Sequence, residues 1–312
     1  MSTQSTTVHG SFAQLDGISP ALRAFYWSIR RELWENRSLY IAPLLAATVF
    51  VLGFIVSVAG LRHQVSSSQL DTAQLHEALT TRFDLAAGLI MGIAFFVGIF
   101  YAIDALYGER RDRSILFWKS LPISDLITVL SKFTVPIVVV PVISFGITLV
   151  TQLAMLLLSS VILLGSGANL GIVWNVSPFL IDSAALFYHL LTIHGLWYAP
   201  LYAWLLLVSA WAPRLPFLWA FLPPFVICGL EKITLGTSYF LDLLKYRALG
   251  PNGTMTPEHH QHVSGAATIP QHTAATLIPH HFFSTPGLWI GVVVAAALLF
   301  ITVRVRRYRG PI

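Results

Sequence analysis

Charge is scarce in this chain. Of its 312 residues only 11% are Asp, Glu, Lys or Arg, whereas a soluble domain carries about 25%. Hydrophobic residues make up 55%, and the mean hydropathy is +0.71. A chain so short of charge lacks the material for an ordinary water-facing surface. It reads as an all-α, polytopic integral membrane protein whose main solvent is the bilayer. Cysteine is nearly missing as well. Cys228 stands alone inside an apolar run, which excludes an internal disulfide and leaves a small buried hydrophobe. No G-x-x-x-x-G-K-[ST] loop occurs. GSGANLG at 165–171 lacks the lysine, so the chain carries no ATP-cradling motif of its own. The pI near 9.5 comes without any nucleic-acid-binding motif, and nucleic acid is not expected as a partner. The first apolar run starts near residue 40, after a polar and charged beginning, too late for a cleavable signal peptide.

What is present is a series of apolar runs. A transmembrane helix needs about 20 mostly apolar residues. Six segments qualify, near 40–59, 85–106, 134–164, 186–212, 217–235 and 287–303. The third exceeds one bilayer thickness and should tilt or project. Pro223-Pro224 should kink or break the fifth. Arg304 can snorkel to extend the sixth, which is short.

The basic residues orient these spans. Arg23, Arg30, Arg31 and Arg37 precede the first. Arg110, Arg111, Arg113, Lys119 and Lys132 lie between the second and third. Arg214 follows the fourth, and Arg304, Arg306, Arg307 and Arg309 close the chain. The other side keeps Arg62, Arg82, Lys232, Lys245 and Arg247. The positive-inside rule then places both termini in the cytoplasm. The organisation that follows is a cytoplasmic tail with an amphipathic helix over 1–38 and one six-span domain over 39–312. That domain includes a cytoplasmic segment at 107–132 and an external loop at 237–286.

Ser19-Pro20 is a helix start, with Ser as N-cap and Pro at the first helical position. Leu22, Phe25, Tyr26, Ile29 and Leu33 then form one stripe at helical spacing, with Arg23, Arg30, Arg31 and Glu35 off it. Such a helix should lie in the membrane interface, in contact with lipid. It serves either to anchor the first span or as a lever touching a cytoplasmic partner.

Residues 107–132, YGERRDRSILFWKSLPISDLITVLSK, place five basic and three acidic residues between two apolar spans. Ile115, Leu116, Phe117 and Trp118 are too apolar for a linker. Pro122 breaks the segment, Ser124 can cap a new helix, and Ile123, Leu126, Ile127 and Leu130 share its face. The reading is a short helix, a proline turn, and a second helix leading into span three. Aromatic anchors rimmed by charge suit a docking surface. They equally suit a basic loop whose aromatics sit among headgroups.

Glu109-Arg110, the charged and apolar run after it, Leu121-Pro122-Ile123-Ser124 and Lys132 resemble the cytoplasmic coupling segment of type-2 ATP-binding-cassette (ABC) permeases. The six spans, the interfacial helix and the enlarged region between spans five and six are similar to that family too. One departure is Arg113, which stands where the family often has Gly. The resemblance implies a permease subunit of a bacterial exporter in the cytoplasmic membrane. It implies a dimer with a second copy or paralogue, and a separate cytoplasmic ATPase that supplies ATP and Mg. Phe117, Trp118, Leu121 and Ile123 would then be anchors for that ATPase, with Arg110, Arg113 and Lys119 as orienting charges. Trp197, Tyr198, Tyr202 and Trp204 on span four are candidates for a translocation path suited to an amphiphilic cargo, or else for helix packing.

Two other readings stay open. A membrane-embedded metal enzyme would start from His189 and His194, yet these are five apart and no carboxylate completes the set. The loop histidines His259, His260 and His262 lack a Cys or carboxylate pattern, so no metal site is assigned. A non-transporting scaffold or self-protection protein is the third. Asp104 near the end of span two reads as an ion-pair partner of Arg110 or Arg111, and Glu231-Lys232 as a self-paired couple. The stretch 239–249 reads as a short helix on the outer surface.

Overall fold

The computed structural model describes residues 19–66, 72–120, 123–164, 176–249 and 282–312. Leu121, Pro122, the 165–171 stretch and the loop histidines from His259 to His281 lie outside the described residues. Those that are described fold into helices, with no strand among them. We number them α1 Pro20–Glu35, α2 Ser38–Ser66, α3 Thr72–Asp104, α4 Tyr107–Arg111, α5 Ile115–Ser120, α6 Asp125–Thr134 and α7 Val140–Leu163. They continue with α8 Val176–His189, α9 Ala199–Trp211, α10 Pro216–Leu235, α11 Tyr239–Leu249 and α12 Pro286–Tyr308. A π-helical segment, Val135–Val139, joins α6 to α7, and another, Leu190–Trp197, lies between α8 and α9.

Five stretches are long and apolar enough to cross a bilayer: Ser38–Gly60, Glu77–Arg111, Asp125–Ile162, Pro216–Leu235 and Pro286–Tyr308. Ser183–Trp197 and Ala199–Trp211 make a sixth if counted as one span, broken by a 50° bend. The apolar runs of the sequence thus correspond to helices, and the chain is a multi-pass membrane protein. Two details differ from expectation. The fourth run is not one straight helix. Pro200 offers no N–H to the preceding turn, and the chain passes through the π-helical segment and Tyr198 before turning. The fifth is not broken: it stays one helix through Pro223 and Pro224. Pro224 cannot donate to the Ala220 carbonyl four residues back. The Trp204 indole of α9 donates to it instead, at 3.0 Å, and that substitution is how membrane helices tolerate proline.

Packing follows the membrane pattern of small and apolar residues between helices. Phe54 and Val58 of α2 meet Leu79 and Ala86 of α3 and Met155 and Leu156 of α7. Ala199 and Ala203 of α9 lie against Ala295 of α12, and their small size brings the two helices close. Large apolar side chains such as Val56, Phe96, Val161, Phe225 and Val293 stay exposed, as a lipid-facing surface requires. The two π-helical segments pack directly against each other, Gly195 of the second beside Ile137 of the first. Val140 N–H reaches back to Val135, and Pro141 has no N–H, so the Pro136 carbonyl lacks a helical donor. Nearby, His194 Nε2 lies 3.3 Å from the Tyr202 hydroxyl.

A buried ion-pair network as candidate functional site

The ends of α1, α3, α6 and α12 meet around α4 and bury charge. Ser19 caps α1 by accepting from Leu22 N–H at 3.4 Å, and Pro20 opens the helix. Its buried positions are Ser28 and Glu32. Leu22 and Tyr26 of the apolar stripe are exposed, while Phe25, Ile29 and Leu33 are half-buried. The inward face of α1 is therefore its polar one. The same inversion holds in α6. Ser124 caps it by accepting from Ile127 N–H at 3.2 Å. The buried residues are Thr128, Val129, Ser131 and Lys132, whereas Leu126 is exposed and Ile123, Ile127 and Leu130 are half-buried.

Between these faces lies a continuous chain of ion pairs. Lys132 Nζ is 2.8 Å from Glu32 Oε1 and 3.2 Å from Glu109 Oε1. Arg31 reaches the same two oxygens at 2.6 and 3.3 Å. Tyr101 of α3 donates its hydroxyl to Glu32 Oε2 at 2.8 Å. Arg306 of α12 holds Glu109 Oε2 at 2.6 Å and Asp125 of α6 at 3.2 Å. Three cations thus face three carboxylates. The side chains of Glu32, Lys132 and Arg306 are 1%, 3% and 3% exposed, so little water screens them. Burial alone would push the Glu32 carboxyl up. Lys132 first, then Arg31, outweigh it and hold the group below the usual carboxylate range. Glu35, at the open edge, is pushed up by its partial burial.

A second layer surrounds this network. Arg110 is buried, and its guanidinium donates to the carbonyls of Ala210 at 2.8 Å, Ala212 at 3.0 Å and Gly310 at 3.4 Å. It is a strut between α4, the end of α9 and the C-terminal residues, not the surface charge expected from sequence. Ser209 of α9 accepts the N–H groups of Leu106 and Tyr107, each at 2.9 Å, across the break between α3 and α4. Lys119 donates to the Arg309 carbonyl at 2.9 Å. Asp104 pairs loosely with Arg111 at 3.8 Å.

The short helix α5 hangs from this junction. Ile115 is buried, and Leu116 and Phe117 are each 59% exposed. Trp118 is half-buried, with the Arg31 guanidinium 3.8 Å from its ring centroid, so its face is taken by α1. Arg113 is exposed and holds φ at +59°, in the left-handed region that glycine favours.

The four span-four aromatics act as struts. Trp197 is fully buried; its indole donates to the Arg247 carbonyl at 3.0 Å. Tyr198 donates to Ala248 at 2.9 Å. Tyr202, also fully buried, faces His194, and Trp204 serves Ala220. Trp197 and Tyr198 thereby fasten α11, the short helix expected at 239–249, to the end of α9. Glu231 does not pair with Lys232 as read from sequence. Its carboxylate accepts from Thr237 and from the N–H groups of Tyr239 and Phe240, capping α11. Among the described residues no group of three or more His, Cys, Asp or Glu side chains is placed to hold a metal.

Sequence reasoning missed Glu32, Tyr101 and Asp125, and treated Lys132 and Arg306 mainly as topology charges. The available signal was the acidic residue at position 32, opposite the arginine-bearing face of a helix otherwise rich in Arg and Trp. Compared with known proteins, the chain matches no family model, no curated protein and no solved structure.

Proposed function

We propose that this chain is the membrane permease subunit of an ABC exporter, with both termini in the cytoplasm of a bacterial cell and α5 as the socket for a separate ATPase. The observation that carries this reading is the junction around Glu109. It makes the exposed Leu116–Phe117 edge of α5 mechanically continuous with α1, α3, α6 and α12. A push on α5 cannot be absorbed locally, because buried ion pairs resist separation without water to replace them. The resemblance of Glu109-Arg110, Leu121-Pro122-Ile123-Ser124 and Lys132 to a coupling segment supports the same reading. ATP and Mg would be bound by the partner, which supplies the hydrolysis. A second permease copy would face α10, whose only buried residue is Ala220.

The test is co-purification of the full chain with ATPase from native membranes in mild detergent, beside Leu116→Ala/Phe117→Ala. The wild type should retain an ATPase that the variant loses at unchanged thermal stability. A wild type that retains none removes the transport reading.

A further inference from the structure

The outward face of α1 carries a second pattern, distinct from the ion-pair network behind it. Arg23, Trp27, Arg30, Trp34 and Arg37 follow one another at spacings of four, three, four and three. At about 100° per residue the first four positions fall within one narrow stripe of α1, and Arg37 follows just past the helix end. Trp27 and Trp34 are 46% and 65% exposed, and Arg23 and Arg37 are exposed too. The Arg30 guanidinium lies 5.0 Å from the Trp27 ring centroid and 4.8 Å from that of Trp34, bridging the two rings. A guanidinium stacked on a ring face keeps its in-plane N–H donors for an oxyanion. Neither carboxylate of α1 lies on the stripe: Glu32 points into the network, and Glu35 pairs with Arg31 at 3.5 Å.

The depth of this ladder comes from its connection. Only Asn36 and Arg37 separate α1 from α2, which starts at Ser38 and crosses the bilayer. Arg37 therefore stands at the mouth of an apolar span, where phosphate groups of lipid lie, and tryptophan is the side chain that settles at that level. From the Arg30 guanidinium stacked between Trp27 and Trp34, the exposed Arg23 and Arg37 on either side, and this depth, we propose that the outer face of α1 binds the phosphates of anionic phospholipid. The inference is independent of transport and of any ATPase.

The test uses the full chain in nanodiscs of equal parts phosphatidylglycerol and phosphatidylcholine, with retained lipid counted by native mass spectrometry. Each arginine near an anionic surface is worth about a five-fold preference. The wild type should therefore retain phosphatidylglycerol several-fold over phosphatidylcholine. Arg23→Gln/Arg30→Gln/Arg37→Gln should bring the ratio near one. The matching triple Lys variant should fall between, because it keeps charge but loses the stacked planar fork. Trp27→Ala/Trp34→Ala should weaken the preference with all charges present. These positions are on the outer face, so thermal stability should stay at the wild-type value; Arg30→Gln alone repeats the test should the triple variant fold poorly. A wild-type ratio of one, or a triple Gln variant that keeps the wild-type ratio, overturns the proposal. So does loss of the preference in millimolar inorganic phosphate, which would mark a site for a soluble anion. A triple Gln variant that keeps its lipid but sheds a co-purified protein would make the ladder a protein-docking surface instead.

Discussion

Lys132 Nζ and Glu32 Oε1 sit 2.8 Å apart, buried, although 100 residues of chain separate them. Each would be costly alone in that place. Breaking a buried pair by removing one partner leaves an uncompensated charge worth about 3–5 kcal/mol. Lys132→Met should therefore destabilise the chain by about that amount, since both Glu32 and Glu109 lose a cation. Adding Glu32→Gln should recover part of it, giving a coupling of about 1–3 kcal/mol in a double-mutant cycle. Thermal or denaturant unfolding in detergent measures both, and additive single effects would mean the pair does not act as a unit.

The same carboxylate sets an acid limit. Glu32 is held below its ordinary range by Lys132 and Arg31 despite its burial. A depressed carboxylate contributes stability that is fully present above its unfolded pKa of about 4.3 and is lost as pH falls through the folded value. That contribution should be level between about pH 7 and 5 and decline below about pH 4. Glu32→Gln should be less stable at neutral pH and show a shallower acid decline. An acid limb of wild-type steepness in that variant would assign it to other groups.

Trp204 and Pro224 make a separate pair. The indole N–H answers the Ala220 carbonyl that Pro224 cannot serve. Trp204→Phe keeps the ring but leaves a carbonyl unsatisfied, which costs about 1–3 kcal/mol. Pro224→Ala restores the helical donor, so Trp204→Phe should cost much less in that background. Equal costs in both backgrounds would show that the indole serves packing alone.

Arg113 holds φ at +59°. For a residue with a Cβ that conformation costs roughly 1–2 kcal/mol, which glycine avoids at some loss of chain entropy. Arg113→Gly should raise stability by about 0.5–1 kcal/mol, and Arg113→Ala should not. Unfolding midpoints of the two variants decide the matter.

Helix α11 gives a last expectation. Arg247 donates to the carbonyls of Trp197 and Gly287 and lies over the Trp197 ring at 4.6 Å. Its half-buried guanidinium has its pKa lowered by burial but meets two carbonyls, so its removal should release α11 from α9 and α12. Arg247→Ala should make 239–249 exchange amide hydrogens faster by a factor of about 10 or more, at 1.4 kcal/mol per decade. Unchanged protection would place the docking energy in Trp197 and Tyr198.

Much of the fold was legible in the chain itself. Where the membrane is the solvent, length and hydropathy suffice to find the helices, because every backbone N–H must be satisfied within its own segment. Local chemistry likewise announced Ser19-Pro20, Ser124 and the 239–249 helix, since caps and turns depend on neighbours within a few residues. Which faces turn inward could not be read in this way. An apolar stripe is taken as the buried face when water lies outside, yet around α1 and α6 the outside is not simply water. Lys132, Glu32 and Ser131 accordingly went in, and Leu22, Tyr26 and Leu126 stayed out. The long-range partnerships were equally hidden. Glu109 with Arg306 and Trp204 with Ala220 depend on how separate helices cross, and no local pattern encodes a crossing. Composition and periodicity determined that this chain is a bundle of membrane helices with a charged end. Only the tertiary structure decided that these charges are one buried network, because ion pairing in a dry junction requires five helices to arrive together.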